Sequence, residues 1–226
     1  MDALILNDVL RMASGSKRFS CIKRPSDFPL TATGTSNTIT GVSGTAAVTN
    51  QAVNAGSYAL SEVAVPGYTA SLWTCTGGIT VTSGNITLGV GQEATCTIVN
   101  DDVAPVLHLR KLVTNDNGGS SVAADWTLTA TGTDGNDLSG ATPVDSGAKL
   151  QADTWDLSES GPKGYSASEW SCDGGSQDGA AITLSVGQEA TCTIVNDDIA
   201  PILHLRKLVT NDNGRSEEHT SELQSR

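Results

Sequence analysis

The sequence has few aromatic residues, few positive charges and no long apolar segment. Aromatic residues make up 4% of the 226 residues, and 13 Lys and Arg stand against 25 Asp and Glu, which gives a net charge of −12. Neutralising phosphates needs clustered cations, so this balance argues against nucleic acid and against an anionic membrane surface. No apolar run approaches the roughly 20 residues of a spanning helix. We therefore expect no nucleic-acid partner and no membrane span in this chain.

The components of nucleophilic catalysis are also missing from the sequence. Only three His occur, and there is neither a G-x-S-x-G motif nor a Cys–His pairing. The residues after Met1 form no signal peptide, because a basic region and a small-residue cleavage site are absent. The 24 Gly and the abundant Thr, Ser and Val are typical of an extracellular all-β protein. We therefore predict a secreted or cell-surface fragment that is not an enzyme and holds no cofactor.

The chain contains an internal duplication. The segment ITLGVGQEATCTIVNDDVAPVLHLRKLVTNDNGG begins at Ile86, and a near-copy begins at Ile182. The repeat is about 96 residues long, which is the size of an immunoglobulin-like sandwich. Looser matches upstream pair Trp73, Cys75, Glu62, Tyr68 and Phe28 with Trp170, Cys172, Glu159, Tyr165 and Trp126.

Short alternating segments separated by turn signals predict strands throughout each repeat. The clearest are LHLRKLV, WTLTA, TWDLSE, ITLSV and ATCTIVN, and no window predicts a helix. The fold class is therefore all-β: tandem immunoglobulin-like sandwiches of about seven strands each.

The duplication also predicts domain boundaries. Pro105 and Pro201 interrupt strand pairing and mark the linkers. The last segment looks like a translated sequencing adapter and the first resembles no repeat, so we interpret the chain as part of a longer repeat protein. The predicted ranges are 1–24 for an unmatched leader, 25–104 for unit 1 without its first strand, 105–200 for a complete unit 2, 201–214 for the start of a truncated unit 3, and 215–226 for the adapter-like tail.

Three polar residues of unit 2 share a strand face with core residues. Lys111 is in phase with Leu107 and Leu109, because alternate residues of a strand point to one side. By the same rule Glu159 is in phase with Trp155 and Leu157, and Asn196 with Cys192 and Ile194. The pattern predicts that a lysine, a carboxyl and an amide meet inside the sandwich. The alternative is that wet strand ends leave all three partly exposed, with a Lys–Glu ion pair.

These residues carry a family resemblance. The blocks SYALSEVAVPGY at 57–68 and TWDLSESGPKGY at 154–165, with Asn100 and Asn196 closing the units and Lys111 in a first strand, resemble Cna protein B-type or SpaA-pilin-like prealbumin-fold domains of bacterial surface proteins. The resemblance implies a spontaneous isopeptide bond, with Lys111 as nucleophile, Asn196 as acceptor and Glu159 as proton shuttle. Glu62 and Asn100 are the unit 1 counterparts, but the position that matches Lys111 falls near Ala13, so no bond is expected there.

The cysteines of the repeats predict one bridge per unit. Because the spacing of the cysteines is duplicated, we expect Cys75 to pair with Cys96 and Cys172 to pair with Cys192. The alternative is that all four cysteines are reduced and lie in the core. No His accompanies them, so we expect no metal there. The acidic segments Asp101-Asp102, Asp197-Asp198 and Asn115-Asp116-Asn117 fit no complete calcium loop, and we interpret them as turn residues.

The sequence thus predicts structural stalk repeats of a bacterial adhesin-like protein, whose partners are neighbouring repeats of the same chain. The alternative is a binding module that recognises a carbohydrate or a host surface protein through loops such as 173–180. An enzyme ranks last. A further possibility is that the orphan segment PILHLRKLV, at 201–209, pairs with the open edge of unit 1 as a donated strand.

Overall fold

The computed structural model describes residues 23–210 and is built almost entirely of strands. The predicted all-β fold is confirmed, and its strands divide at the linker between Asp102 and Val106. Unit 1 contains β1 Leu30–Gly34, β2 Thr38–Gly41, β3 Gly56–Glu62, β4 Tyr68–Ala70, β5 Thr74–Cys75, β6 Asn85–Leu88, β7 Cys96–Thr97 and β8 Asn100–Asp102. Unit 2 contains β9 Val106–Thr114, β10 Thr127–Thr131, β11 Leu138–Ala141, β12 Val144–Asp145, β13 Asp153–Ser160, β14 Tyr165–Ala167, β15 Ser171–Asp173, β16 Ser176–Asp178, β17 Ala181–Leu184 and β18 Glu189–Asp198.

Helical structure in the described range is limited to single 3-10 turns. These are Pro25–Asp27, Ala123–Asp125, Thr133–Gly135 and Gly147–Lys149. Across residues 23–210, none of these turns has the length or apolar character needed to cross a bilayer. The positions of Ala13, Cys21 and His219, most of the predicted leader and the adapter-like tail lie outside the described residues.

Unit 2 is a complete sandwich of two sheets. One sheet has the order β11-β10-β13-β17-β16, and the other has the order β12-β9-β18-β14 with β15 also paired to β18. Alternating strand residues of both sheets meet in one core. Its fully enclosed members include Leu107, Leu109, Trp126, Leu128, Trp155, Ile182 and Cys192.

The first and last strands of unit 2 lie side by side and run in the same direction. β9 and β18 form a parallel ladder of nine residue pairs, from Glu189 beside Val106 to Asp197 beside Thr114. β9 is the first strand of unit 2 and β18 is the last, so all the other strands of the unit lie between them in sequence. The chain has to cross the unit and return before two neighbouring strands can run parallel. A link between these two strands would therefore span nearly the whole unit.

Unit 2 has more strands than the seven predicted from the sequence. The additional ones are short: β15 pairs with β18 and β16 pairs with β17, so the chain crosses from one sheet to the other at Gly174 and Gly175, whose φ values of +87° and +64° favour glycine. These short strands carry polar or small residues with no alternation, so hydrophobic periodicity cannot detect them.

Unit 1 repeats only part of this arrangement. Its four-stranded sheet, β2-β1-β3-β6, corresponds to the β11-β10-β13-β17 sheet of unit 2. The remaining strands form two small ladders, β4 with β8 and β5 with β7. Among the described residues no strand takes the place that β9 has in unit 2, and the buried apolar residues of unit 1 are Phe28, Tyr58 and Ile86.

Candidate functional site

β9 and β18 bring Lys111 and Asn196 to the same inner face. Lys111 follows Leu107 and Leu109, which are 0% exposed, and is itself 4% exposed. Asn196 follows Cys192 and Ile194 in the same alternation and is 3% exposed. Lys111 pairs with Ile194 in the ladder, so Asn196 lies one inward position further along the neighbouring strand. Diagonal neighbours of this kind lie about 7–8 Å apart, within reach of a long side chain.

Glu159 reaches this pair from the opposite sheet. It lies near the end of β13, in phase with Trp155 and Leu157, and its carboxylate Oε2 lies 2.5 Å from Lys111 Nζ. The Lys111 side chain is 0% exposed and that of Glu159 is 12% exposed. The sequence left open whether Lys111 and Glu159 form an ion pair at a solvent-exposed strand end. In the structure this pair lies inside the sandwich.

Trp126 completes the surroundings of the lysine, and the sequence assigned it only to the core. Its ring centroid lies 4.9 Å from Lys111 Nζ, which is the geometry of a cation–π contact. The ring also meets Tyr165 edge-on at 5.2 Å. Trp126 and Phe28 are aromatic residues at matching positions of the two units, but this match does not indicate a contact with the lysine.

Burial lowers the pKa of Lys111 from the ordinary lysine value. Desolvation of the ammonium is the main cause, and the hydrogen bond and charge of Glu159 oppose it in part. The consequence is an increased fraction of neutral amine, which is the nucleophilic form of lysine.

The amide oxygen of Asn196 is buried without a hydrogen-bond partner. It is the one atom of this kind among the buried side chains in the described range. Leaving a buried acceptor unsatisfied costs about 1–3 kcal/mol, so such an atom calls for an explanation. Here the carbonyl lies on the same inner face as an amine and a carboxyl.

Unit 1 places the corresponding acid and amide in direct contact. Asn100 Nδ2 donates a hydrogen bond of 2.8 Å to Glu62 Oε2, between the end of β8 and the end of β3. In unit 2 the matching carboxylate contacts Lys111 instead. Two members of the predicted triad are therefore together in unit 1, and among the described residues of that unit no lysine lies beside them.

Both predicted disulfides are present, one in each unit. Cys75 pairs with Cys96 and joins β5 to β7, and Cys172 pairs with Cys192 and joins β15 to β18. In each case the two cysteines lie directly opposite each other in an antiparallel ladder. The alternative of reduced core cysteines is wrong.

Asp198 fixes the loop that follows β9. Its carboxylate accepts backbone N–H bonds from Asp116, Asn117 and Gly119. Desolvation would raise its pKa, but these donors outweigh it and lower the pKa from the usual aspartate value. Asp116 and Asp197 lie close enough for their ligand atoms to form a group with it, yet this carboxylate already serves the turn. The sequence predicted that these residues form turns, but it did not predict the hydrogen bonds that the Asp198 carboxylate accepts.

His108 joins three strands on the outer face of unit 2. It contacts Asp145 of β12 through Nδ1, and its Nε2 lies 2.9 Å from Glu189 Oε1 of β18. Arg110 binds the same Asp145 carboxylate at 2.7 Å. The sequence placed His108 on the outer face but could not identify its partners, because Asp145 lies on a two-residue strand without a periodic signal.

The fold and the inner cluster define a class of protein: tandem β-sandwich domains, one of which encloses a lysine, a carboxyl and an amide in its interior. The model of the SpaA-type prealbumin-like fold domain matches this chain twice, over residues 9–98 and 102–194. The chain belongs to that family, and the resemblance noted in the sequence is confirmed.

Solved structures similar to this chain include major pilins of Streptococcus pyogenes. One major pilin is 12% identical, with a TM-score of 0.35, and the alignment covers 76% of this chain and 90% of the pilin. The T-13 major pilin is 12% identical, with a TM-score of 0.33 and coverages of 76% and 89%. A comparison with curated proteins finds no match.

Proposed function

We propose that this chain forms structural stalk repeats of a bacterial cell-surface protein, and that unit 2 is locked by an isopeptide bond between Lys111 and Asn196. The observation that carries the proposal is the enclosed Lys111–Glu159 pair on the same inner face as the unpartnered Asn196 carbonyl. Membership of the prealbumin-like family supports the structural role. On this proposal the chain acts outside the cell and turns over no substrate.

The environment of Lys111 favours nucleophilic attack. An amine attacks only when neutral, and the desolvation that lowers the pKa of Lys111 supplies that form. Packing of β9 against β18 and β13 holds the amine near its target. Because the reactants belong to one folded chain, the encounter is intramolecular, with an effective molarity of roughly 10⁵ M or more.

The proposed step balances without any outside reagent. Lys111 Nζ attacks Cγ of Asn196, and a new C–N bond forms as the bond from Cγ to Nδ2 breaks. Before the attack, Lys111 Nζ passes one proton to Glu159 Oε2 across their 2.5 Å contact. The carboxyl formed in this way donates a hydrogen bond to the developing oxyanion, passes that proton to the leaving nitrogen and takes a second proton from the nitrogen of Lys111. One ammonia leaves and one amide remains. The reaction occurs once per chain.

The bond would make unit 2 resist force and unfolding. It would close a loop from β9 to β18 and so reduce the conformational entropy of the unfolded chain. This effect would stabilise the folded state by about 4–5 kcal/mol. A pull between units acts on the start of β9 and the end of β18, which lie at opposite ends of one parallel ladder. The crosslink would carry that load instead of the ladder hydrogen bonds. This is the property that a stalk requires.

Intact-mass measurement of the folded full-length chain, with disulfides reduced, tests the bond. The wild-type monomer should be lighter than its sequence mass by one ammonia, and digestion should give one crosslinked peptide that contains Lys111 and Asn196. Glu159→Ala and Lys111→Met should both keep the full mass. Glu169→Ala, at an exposed glutamate of the same unit, is the matched control and should lose ammonia like the wild type. A folded wild-type chain of full sequence mass would overturn the proposal.

The alternative of a binding module has less support. The segment 173–180 contains the last residue of β15 and all of β16, which pair with β18 and β17, and its residues are exposed. The described cavity lies in unit 1 instead.

A further inference from the structure

Two β-turns, one from each unit, face each other where the units meet. Residues 65–68 form the unit 1 turn, which leads into β4, and residues 185–188 form the unit 2 turn, which joins β17 to β18. Each turn is closed by a backbone hydrogen bond between its first and last residues, of 3.2 Å and 3.1 Å respectively. The third residue of each turn is a glycine with positive φ, Gly67 at +84° and Gly187 at +69°. This is the type II pattern, which favours glycine at that position.

The two turns are in contact through these glycines. A Cβ atom added to Gly67 would lie 2.5 Å from the carbonyl oxygen of Val186, and a Cβ atom added to Gly187 would lie 2.6 Å from the Cα atom of Gly67. Both distances are well inside the roughly 3.5–4.0 Å at which non-bonded carbon atoms pack. The obstructing atoms belong to the backbone, so they cannot swing aside as a flexible side chain can. A side chain on either glycine would therefore push the two turns apart.

The linker between the units is hydrogen-bonded to both turns. It consists of Val103, Ala104 and Pro105, between the end of β8 and the start of β9. The N–H of Val103 donates to the carbonyl of Gly67 at 2.9 Å, and the carbonyl of Val103 accepts from the N–H of Gly187 at 2.7 Å. One linker residue thus connects the unit 1 turn to the unit 2 turn through both of its backbone polar groups.

The end of the linker is also restrained. The ring of Pro105 fixes its φ, and the Pro105 side chain is fully buried. The N–H of Val106 donates to the carbonyl of Gln188 at 2.9 Å, which extends the β9–β18 pairing as far as the unit 2 turn. Hydrogen bonds and the proline ring therefore restrain the chain on both sides of Ala104.

We propose that the unit 1 turn is a docking surface for the unit 2 turn, and that the two turns form a rigid joint that fixes the orientation of unit 1 on unit 2. Domains of one chain by default move relative to each other unless a large apolar interface holds them. Here the restraint comes from backbone geometry instead, because two glycine turns are in contact and a short linker is bonded to both. The joint requires neither the isopeptide bond nor the stalk function.

The joint attaches unit 1 to both strands of the parallel ladder of unit 2. The linker continues directly into β9, and the unit 2 turn continues directly into β18. Because these strands run side by side in the same direction, a bending or twisting motion of unit 1 acts on both of them at the same end of unit 2. Such a motion has to break the backbone hydrogen bonds of the joint, whereas a flexible linker would allow it.

The duplication supplies a matched control for each glycine of the joint. Gly164 is the unit 2 counterpart of Gly67; its φ is +88°, and its carbonyl accepts a hydrogen bond of 2.9 Å from the N–H of Ile199. Gly91 is the unit 1 counterpart of Gly187, with a φ of +75°. A Cβ atom added to either control glycine meets no atom within 4 Å among the described residues. Alanine at the controls therefore introduces the same backbone strain without a clash between the units.

Residual dipolar couplings and amide nitrogen relaxation of the folded full-length chain test the joint. In the wild type one alignment tensor should fit the amides of both units, and both units should share one rotational correlation time, because they reorient as one body. Gly67→Ala and Gly187→Ala should each abolish the common tensor and shorten the correlation time of each unit. Gly164→Ala and Gly91→Ala should keep the common tensor.

Each outcome of this experiment decides one part of the proposal. Different alignment tensors for the two units of the wild type would overturn the rigid joint. A common tensor that survives both Gly67→Ala and Gly187→Ala would overturn its assignment to the two glycine turns, as would its loss in the control variants. The two joint substitutions lie in different units, so if the amide shifts of one variant indicate local unfolding, the other variant still provides the test. None of these outcomes changes the mass expected for unit 2.

Discussion

At the scale of single residues, enclosure rather than residue type makes the unit 2 cluster reactive. Lysine, glutamate and asparagine occur throughout the chain, but Lys111 and Asn196 are almost fully buried beside each other. Removing water shifts the amine toward its neutral form and strengthens each remaining polar contact. Glu62 and Asn100 in unit 1 are chemically the same groups, but among the described residues no lysine lies beside them, and they form an ordinary hydrogen bond.

His108 gives unit 2 a dependence of stability on pH. Asp145 is the main cause of a raised pKa for His108, which burial opposes and Glu189 reinforces. A raised pKa in the folded state means that the stabilisation is complete below the unfolded value of about 6.5 and is lost as pH rises through the folded value. We therefore expect the free energy of unfolding of unit 2 to fall as pH rises above about 6.5, as measured by urea titration.

The variant His108→Gln is the control for this expectation. The free energy of unfolding of this variant should change little over the same pH range, because the other described histidine, His204, is exposed. Equal pH dependence in the wild type and the variant would contradict the role given to His108.

At the scale of elements, each disulfide holds a short strand in its ladder. β15 has three residues, and its pairing with β18 is supported by the Cys172–Cys192 bond. The bond encloses a loop with a sequence separation of 20 residues. Closing a loop of this size stabilises a fold by about 3 kcal/mol.

Replacing both Cys172 and Cys192 by alanine should lower the free energy of unfolding of unit 2 by about 3 kcal/mol. The matched variant replaces Cys75 and Cys96, which close a loop with a separation of 21 residues in unit 1. It should leave the unit 2 transition in differential scanning calorimetry unchanged. If both pairs shifted that transition equally, the assignment of one independent bridge to each unit would be wrong.

Long strands were predictable from the sequence and short ones were not. β9, β13 and β18 were predicted because their inward residues alternate over seven or more positions, which also placed Lys111, Glu159 and Asn196 in phase with the core. β12 and β16 have two or three residues and no apolar alternation. Their pairing is decided by neighbouring strands, a non-local effect that a local pattern does not contain.

At the scale of the whole molecule, the two units differ in how much core they enclose. Unit 2 buries fifteen apolar residues in one cluster, whereas three apolar side chains are buried among the described residues of unit 1. Burial of apolar surface is the main stabilising contribution to folding. Despite their similar sequences, the two units should therefore have unequal stabilities.

Amide hydrogen exchange should reveal this inequality. Amides of β1 and β3 should exchange at least about tenfold faster than those of the matching strands β10 and β13. Similar protection of these strands in both units would contradict the inference that unit 1 is the less stable unit.

The sequence by itself determined the duplication, the all-β class, the disulfide partners and the strand faces on which the polar residues lie, because these depend on local alternation and on comparing one repeat with the other. Only the tertiary structure decided that the Glu159 carboxyl contacts Lys111 in unit 2 while Glu62 contacts Asn100 in unit 1, and that the Asn196 carbonyl lacks a partner. These outcomes depend on which strands pack across the sandwich: β9 brings Lys111 against Glu159 in unit 2, whereas no described strand of unit 1 occupies the corresponding place.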